Sequence, residues 1–228
     1  MEEQQNTIRI PEGRCNLCCR TFSKEEMTEH LETCREENAP KPRGRAKPRQ
    51  GKVFHLVVEG VGLPQYWMHL DAPADATLRE LDGLLREVWL ECCGHMSAFT
   101  IGKKRYSVLP TEELEEEGMD IALGEVLRPQ MEFCHEYDFG TTTGLLLRVV
   151  AEREGLITWK SILFLAMNVA PEIKCSSCGE RATQVCCLCI GEGEEWLCDE
   201  CAPRHECGED MLLPVLNSPR TGMCAYGT

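Results

Sequence analysis

The sequence has few of the features that mark secreted, membrane-spanning or nucleotide-binding proteins. It contains no run of 18 apolar residues, so no membrane-spanning helix is expected. The first fourteen residues hold no apolar segment, so we expect no secretory signal and a cytoplasmic location in which thiols stay reduced. The sequence also lacks a glycine-rich phosphate loop and the G-x-S-x-G and H-E-x-x-H motifs, which argues against the common hydrolase classes.

Basic residues are scarce, with 24 Lys and Arg against 38 Asp and Glu, for a net charge of −14. Such an acidic chain repels a phosphate backbone. One segment departs from this pattern, a proline-rich linker predicted over residues 37–52. Its bases, which offer a route to nucleic acid, are Lys41, Arg43, Arg45, Lys47, Arg49 and Lys52. The alternative is that this linker is only a soluble spacer.

Cysteine, by contrast, is abundant, and the chain has sixteen. Several cysteines are separated by two residues, a spacing that lets one short turn present two thiolates to one tetrahedral ion. In a reducing compartment this spacing favours metal over disulfides. The sequence therefore predicts structural zinc near both ends of the chain.

The first predicted site lies in a C-C-H-C zinc finger over residues 1–36, with ligands Cys15, Cys18, His30 and Cys34. A small hairpin should carry the first two ligands, and a helix that begins with an S-x-x-E capping box should carry the others. The exposed positions of that helix include four glutamates, which would face phosphates at a cost. The finger is therefore predicted to be structural or protein-binding.

The second predicted site occupies residues 171–228, together with a C-terminal tail. Its candidate ligands are Cys175, Cys178, Cys186, Cys189, Cys198, Cys201, His205 and Cys207. Their order suggests a cross-brace of the B-box, RING and MYND kind, in which the first and third pairs hold one ion and the second and fourth hold another. Asp210 and Cys224 are alternatives to Cys207 as the eighth ligand. A ribbon with a single ion is the alternative architecture, so the chain would hold three zinc ions or two.

The middle domain, residues 53–170, is predicted to be α+β. Period-two alternation predicts several strands, and a capping box at Thr77 and Glu80 starts a helix of about four turns. We therefore expect a mostly antiparallel sheet with one main helix packed on it, flanked by the two small zinc-binding modules.

Two sequence blocks carry a resemblance to a known family. The blocks LDAPADATLRELDGLLREVWLECCGHMSAFTIG and EYDFGTTTGLLLRVV resemble the Ri-plasmid open-reading-frame-three-like family, insertion-element passenger proteins of TnpR type. The family's Tyr-Asp-Phe-Gly block is present as residues 137–140. Many members continue with Asp, an aromatic residue and a nearby His, where this chain has three threonines, and His95 stands where members often have His-x-His. The resemblance implies no established activity.

Two groups in the middle domain could suggest catalysis. Cys92, Cys93 and His95 could supply a thiol nucleophile and its base, but the two cysteines are expected to be buried at a helix end. His135 and Asp138 should lie on opposite faces of a strand, and Asp138 is expected to stabilise a turn.

The favoured hypothesis is therefore a zinc-binding, non-enzymatic interaction or adaptor protein with protein partners and no membrane contact, linked by the resemblance to a mobile element. The alternatives are a nucleic-acid-associated factor that uses the basic linker, and a hydrolase or redox enzyme of unknown substrate.

Overall fold

A computed structural model describes residues 10–38, 48–157 and 162–227 of the 228-residue chain. The fold is α+β, with a large, mostly antiparallel sheet and few helices. The strands are β1 (Gly13–Cys15), β2 (Thr21–Phe22), β3 (Arg49–Gly60), β4 (Leu63–Pro73), β5 (Ser97–Ile101), β6 (Lys104–Ser107), β7 (Glu117–Gly118), β8 (Glu132–Tyr137), β9 (Thr143–Ile157), β10 (Leu163–Asn168), β11 (Gln184–Cys186), β12 (Trp196–Leu197) and β13 (Leu212–Pro214). The helices are α1 (Lys24–Glu37), α2 (Leu78–Leu85) and α3 (Leu123–Val126). Among the described residues, no helix is long and apolar enough to cross a membrane.

Ten strands form the main sheet, in the order β2-β1-β10-β4-β3-β9-β8-β5-β6-β7. Neighbouring strands are antiparallel except β6 and β7, which are parallel. Several of the strands predicted from alternation pair as antiparallel neighbours, β3 with β4, β5 with β6 and β8 with β9. The strand β10 lies between β4 and β1, far from its sequence neighbour β9, so its place depends on long-range pairing that no local pattern encodes.

Strands β3 and β4 are buried on both faces, which explains their near-continuous apolar sequence. On one face, residues such as Phe54, Leu56 and Met68 join the main core with α2. On the other face, Trp67 packs with residues of the N-terminal finger. The centre of the sheet is thus enclosed between the main core and the finger.

The helix predicted behind Thr77 is present, but only its first part is α-helical. Its capping box is present, since Thr77 and Glu80 exchange side-chain and backbone hydrogen bonds. The α-helix ends at Leu85, and the chain continues as a π-helical turn over Arg86–Leu90. Helix α1, in the finger, is longer than α2, so the expectation of one main helix is not confirmed.

The finger is joined to the main sheet. Strand β1 pairs with β10 through Gly13–Asn168, Arg14–Met167 and Cys15–Ala166. At Gly13 any side chain would overlap the Trp67 indole, so a glycine is required by this close approach. The predicted zinc module therefore does not stand apart but extends the sheet by two strands.

The C-terminal module has its own three-stranded sheet, in the order β12-β11-β13. Its buried apolar cluster is small and consists of Cys175, Leu197, Cys198 and Ala202. Two of these four core residues are candidate metal ligands. Ala182, Val185 and Leu213 are also buried, so the apolar core of the module is small and candidate metal ligands form a large part of it.

The predicted linker differs from expectation at both ends. Helix α1 runs to Glu37, and β3 begins at Arg49, so the last four linker residues belong to the sheet. Arg49 pairs with Asp75 at 2.9 Å, and Lys52 pairs with Glu152 at 2.8 Å. The other four bases, Lys41, Arg43, Arg45 and Lys47, lie outside the described residues.

Candidate metal centres

The first predicted group is assembled by the finger. The metal-ligating atoms of Cys15, Cys18, His30 and Cys34 all lie within 4.8 Å of one another. Cys15 Sγ lies 3.8 Å from Cys34 Sγ, and Cys18 Sγ lies 3.3 Å from His30 Nε2. A tetrahedral zinc ion with its usual bond lengths sets its ligands about 3.8 Å apart for two sulfurs and about 3.5 Å for sulfur and nitrogen. These distances fit that geometry.

Local structure explains how the finger brings these ligands together. The Ser23–Glu26 capping box, predicted from the sequence, fixes the start of α1. His30 and Cys34 then lie one turn apart on the helix face that points to the β1–β2 hairpin. The Phe22 ring stacks on the His30 imidazole with centroids 3.9 Å apart, which holds the orientation of the imidazole. The hairpin and the helix thus supply two ligands each.

The C-terminal module forms two groups. Cys175, Cys178, Cys198 and Cys201 make up one, and Cys186, Cys189, His205 and Cys207 make up the other. In the first, Cys178 Sγ and Cys198 Sγ are 3.6 Å apart. In the second, Cys189 Sγ lies 3.4 Å from His205 Nε2 and 3.6 Å from Cys207 Sγ. The pairing is interleaved, first pair with third and second with fourth, as a cross-brace requires, whereas a ribbon would form one group.

Of the three candidates for the eighth ligand, Cys207 is the one that lies in the second group of the module. Asp210 is in none of the groups that the described residues form. Cys224 lies with Cys92, Cys93 and His95, in a fourth group whose ligating atoms are also within 4.8 Å of one another. The spacing of cysteines along the sequence did not reveal this group, because Cys93 and Cys224, which are in contact, are 131 residues apart. The available signal in the sequence was the closely spaced set Cys92, Cys93 and His95, which has three of the four ligands that a zinc ion needs.

The thiols in these groups have divergent acidities. Burial alone would raise the pKa of Cys18, but hydrogen bonds from Arg20 and neighbouring thiols lower it to about 7. For Cys34, burial and the same neighbouring thiols raise the pKa to about 12. In the C-terminal groups, backbone hydrogen bonds outweigh burial and lower the pKa of Cys175 to about 6 and of Cys186 to about 7. One thiolate thus forms readily in each group, and a divalent cation would relieve the repulsion that opposes the next.

The structure treats the two groups of catalytic candidates differently: Cys93 Sγ lies 3.0 Å from His95 Nε2, whereas His135 contacts Asp82 rather than Asp138. His135 is fully buried in the sheet, and its Nε2 lies 2.7 Å from Asp82 Oδ1. Asp138 accepts hydrogen bonds from the backbone of Gly140 and Thr141, so it stabilises the turn as expected. The expectation that Cys92 and Cys93 are buried is wrong, since Cys92 is half-buried and Cys93 is exposed.

No family model matches the chain, and no curated protein matches it. Among solved structures, the chain is similar to a protein of unknown function, MM3350, from Methanosarcina mazei Go1. The two share 18% sequence identity, and the alignment covers 50% of this chain and 67% of that one with a TM-score of 0.44.

Proposed function

We propose that the protein is a zinc-binding, non-enzymatic interaction protein whose three predicted groups each hold a structural zinc ion. The observation that carries the proposal is the composition of these groups. Each offers four sulfur or imidazole ligands from the protein itself. Such a set fills all four positions of a tetrahedral zinc ion and leaves none for a substrate or an activated water. Zinc would then supply folding energy rather than chemistry.

The position of the finger supports a structural role in preference to DNA reading. The inner face of α1 is occupied, since Met27, Leu31 and Cys34 are buried. The outer face carries the exposed glutamates Glu25, Glu29 and Glu32. A helix with one face packed on a sheet and the other acidic is a poor fit to a DNA groove. It is suited to a protein partner of basic charge.

A second surface also suits a protein partner. Leu188, between the ligands Cys186 and Cys189, has 62% of its surface exposed. An apolar side chain held outward on a metal-stabilised turn offers a small, rigid contact point. We infer that partner binding uses this turn, the acidic face of α1, or both.

The alternative of nucleic-acid binding has less support. Two of its six bases, Arg49 and Lys52, already pair with the carboxylates of Asp75 and Glu152. If the basic segment binds nucleic acid, neutralising Lys41, Arg43, Arg45 and Lys47 will reduce the salt dependence of binding. The link to a mobile element rests on the sequence resemblance alone.

Chelation tests the structural role of the metal. Untagged protein, purified without added metal, is treated with a strong chelator and followed by far-UV circular dichroism and limited proteolysis. We expect protease cleavage to appear within residues 10–38 and 171–227, because structural zinc contributes its binding free energy to folding. Readdition of zinc should reverse the change, whereas unchanged spectra and cleavage would refute the proposal.

Affinity capture from the native host tests the interaction role. Wild-type protein is compared with Leu188→Asp and with Glu29→Lys/Glu32→Lys, and Leu109→Asp serves as a control for another exposed leucine (65% exposed). Partners lost from either variant but kept by the control would support the proposal. Identical partners for all four proteins would contradict the assigned surfaces.

A further inference from the structure

The fourth group of ligating side chains joins two distant parts of the chain. Cys92 and Cys93 directly follow the residue that ends the π-helical turn. Gly94, with φ +81°, reverses the chain so that His95 returns toward the two thiols. Cys224 comes from the C-terminal tail, here defined as residues 215–227, which follows β13. The group therefore consists of three residues from the middle domain and one from the tail.

The distances in this group match those of the three predicted groups. Cys93 Sγ lies 3.8 Å from Cys92 Sγ and 3.6 Å from Cys224 Sγ. The His95 Nε2 atom lies 3.0 Å from Cys93 Sγ and 3.5 Å from Cys224 Sγ. Three of these four distances are close to the separations of about 3.8 Å and about 3.5 Å around tetrahedral zinc, and the His95–Cys93 distance is shorter. They are far longer than a sulfur–sulfur bond of about 2.05 Å, so the thiols are arranged as ligands rather than as a disulfide.

Charged and polar groups around the cluster suit a bound cation with thiolate ligands. Arg220 is fully buried, and its Nη2 donates to Cys92 Sγ at 3.5 Å and to Asp138 Oδ2 at 2.7 Å. Asp138 Oδ2 lies 3.5 Å from His95 Nε2. Three thiolates and one imidazole around a divalent cation carry a net charge of −1. Arg220 is shared between this cluster and Asp138, so its guanidinium offsets only part of the negative charge, at close range.

Hydrogen bonds that do not involve Cys224 also hold the tail against the middle domain. Ser218 Oγ donates to the Trp89 carbonyl oxygen at 2.7 Å. The Nη1 atom of Arg220 donates to the Thr141 carbonyl oxygen and to Thr143 Oγ1. Gly222, with φ +84°, contacts the C-terminal module so closely that a side chain there would meet Ile190 and Val185. The tail thus passes between two parts of the molecule and ends at the fourth group.

We propose that Cys92, Cys93, His95 and Cys224 bind a fourth zinc ion that fastens the C-terminal tail to the middle domain. Three sulfurs and one imidazole form a soft donor set that selects zinc over magnesium or calcium. The first three groups are each built within one short segment, whereas this group closes a loop of 131 residues between Cys93 and Cys224. The ion would act as a cross-link that sets the position of the C-terminal module on the middle domain.

The fourth site should also exchange its metal faster than the others. Cys93 and Cys224 are exposed, whereas each of the three predicted groups has at least two buried cysteines. Water and small chelators therefore reach its sulfurs first. Loss of this one ion would release the tail while the finger and the cross-brace keep their metal.

Metal content of matched variants tests the proposal. Zinc is quantified in untagged, full-length wild-type protein and in Cys224→Ser, Cys93→Ser and Cys134→Ser, all purified under reducing conditions. Cys134 is exposed, lies on β8 and belongs to none of the groups, so its variant is the control. We expect the first two variants to hold one zinc fewer per chain than wild type and Cys134→Ser. Limited proteolysis should cut the tail of Cys224→Ser sooner than that of the control.

The outcomes separate this proposal from that of the three structural ions. Equal zinc in all four proteins would overturn the fourth site and leave the other three untouched. If Cys224→Ser holds one zinc fewer than wild type but retains fewer than three, the fourth site is supported and at least one of the three structural sites is refuted. If a variant fails to fold, cobalt-substituted wild-type protein tests the fourth site instead. A weak chelator should remove one cobalt ion before the others. The thiolate-to-cobalt charge-transfer absorption should fall by the share of that one ion. Release of all ions together, or no cobalt beyond three, would overturn the proposal.

Discussion

The two ends of the chain use similar ligands but are attached to the rest of the molecule in different ways. The finger adds β1 and β2 to the ten-stranded sheet and buries one face of α1 against Trp67. The C-terminal module has a separate three-stranded sheet, and two of the four residues in its buried apolar cluster are candidate metal ligands. Under the proposed function, metal would therefore complete an existing core at one end and supplement a small core at the other.

The largest difference between the ends should appear on metal removal. The C-terminal module should unfold throughout residues 171–214, because structural zinc contributes about 10–16 kcal/mol of apparent binding free energy and little apolar packing remains without it. The finger should loosen around its hairpin but keep part of α1 packed on the sheet. Hydrogen exchange of chelated protein measures both regions separately. Equal protection loss at the two ends would contradict the difference in attachment.

A core substitution in the finger should weaken the middle domain. Leu31 is fully buried in the cluster that contains Trp67, so Leu31→Ala should lower the free energy of unfolding of the sheet by about 2–5 kcal/mol. Leu197→Ala, in the C-terminal core, should destabilise its own module and leave the sheet nearly unchanged. Urea unfolding monitored by far-UV circular dichroism, with exposed Leu109→Ala as control, distinguishes these results. A sheet equally stable in Leu31→Ala and in the control would show that the finger is an independent module.

Low pH should lower the free energy of unfolding through two histidines on the side of the sheet that faces the finger. Burial and nearby Arg35 lower the pKa of His55 to about 2 and of His69 to about 3, and the two imidazoles lie 2.9 Å apart beneath α1. In the unfolded chain both titrate near pH 6.5, so below that pH the unfolded state binds more protons. Stability is therefore complete above about pH 6.5 and falls as pH drops toward 3.

The size of this acid effect follows from the slope of the free energy of unfolding against pH. Each imidazole should lower the free energy of unfolding by about 1.4 kcal/mol for each pH unit in that window. Denaturant unfolding of wild type and of His55→Leu/His69→Leu at several pH values isolates the pair, since both proteins carry the same metal-ligating residues. Parallel pH profiles for the two proteins would contradict the assignment.

Loss of the helix cap should have the smallest effect. Ser23→Ala removes the side-chain acceptor of the Glu26 N–H group at the start of α1 and should cost about 1 kcal/mol. Thr28→Ala, on the same helix but outside the cap, is the matched control. Among the described residues the C-terminal module has only 3₁₀ turns, so no equivalent cap exists there. A cap variant as stable as its control would show that packing on Trp67 alone positions α1.

The parts of the structure that sequence could predict are those specified over short distances. The capping boxes at Ser23 and Thr77 involve residues three positions apart, and each Cys-x2-Cys pair is formed by one turn. Strand alternation predicted β8, whose His135 and Tyr137 share the buried face. Local chemistry of this kind is fixed before the chain folds.

The remaining features depend on contacts between distant segments. The pairing of β10 with β1 joins residues about 150 positions apart, and the Cys93–Cys224 contact joins residues 131 apart. Loop closure over such distances carries no periodic or spacing signal. The attachment of the finger and the fourth group of ligands therefore emerged only from the fold.

Zinc-edge X-ray absorption of the untagged protein as purified tests the central claim, that protein sulfur and imidazole fill every metal position. The account predicts a first coordination shell of three or four sulfurs at about 2.3 Å and at most one imidazole nitrogen at about 2.0 Å per zinc. A shell dominated by oxygen, or protein that retains its fold without bound metal, would contradict it.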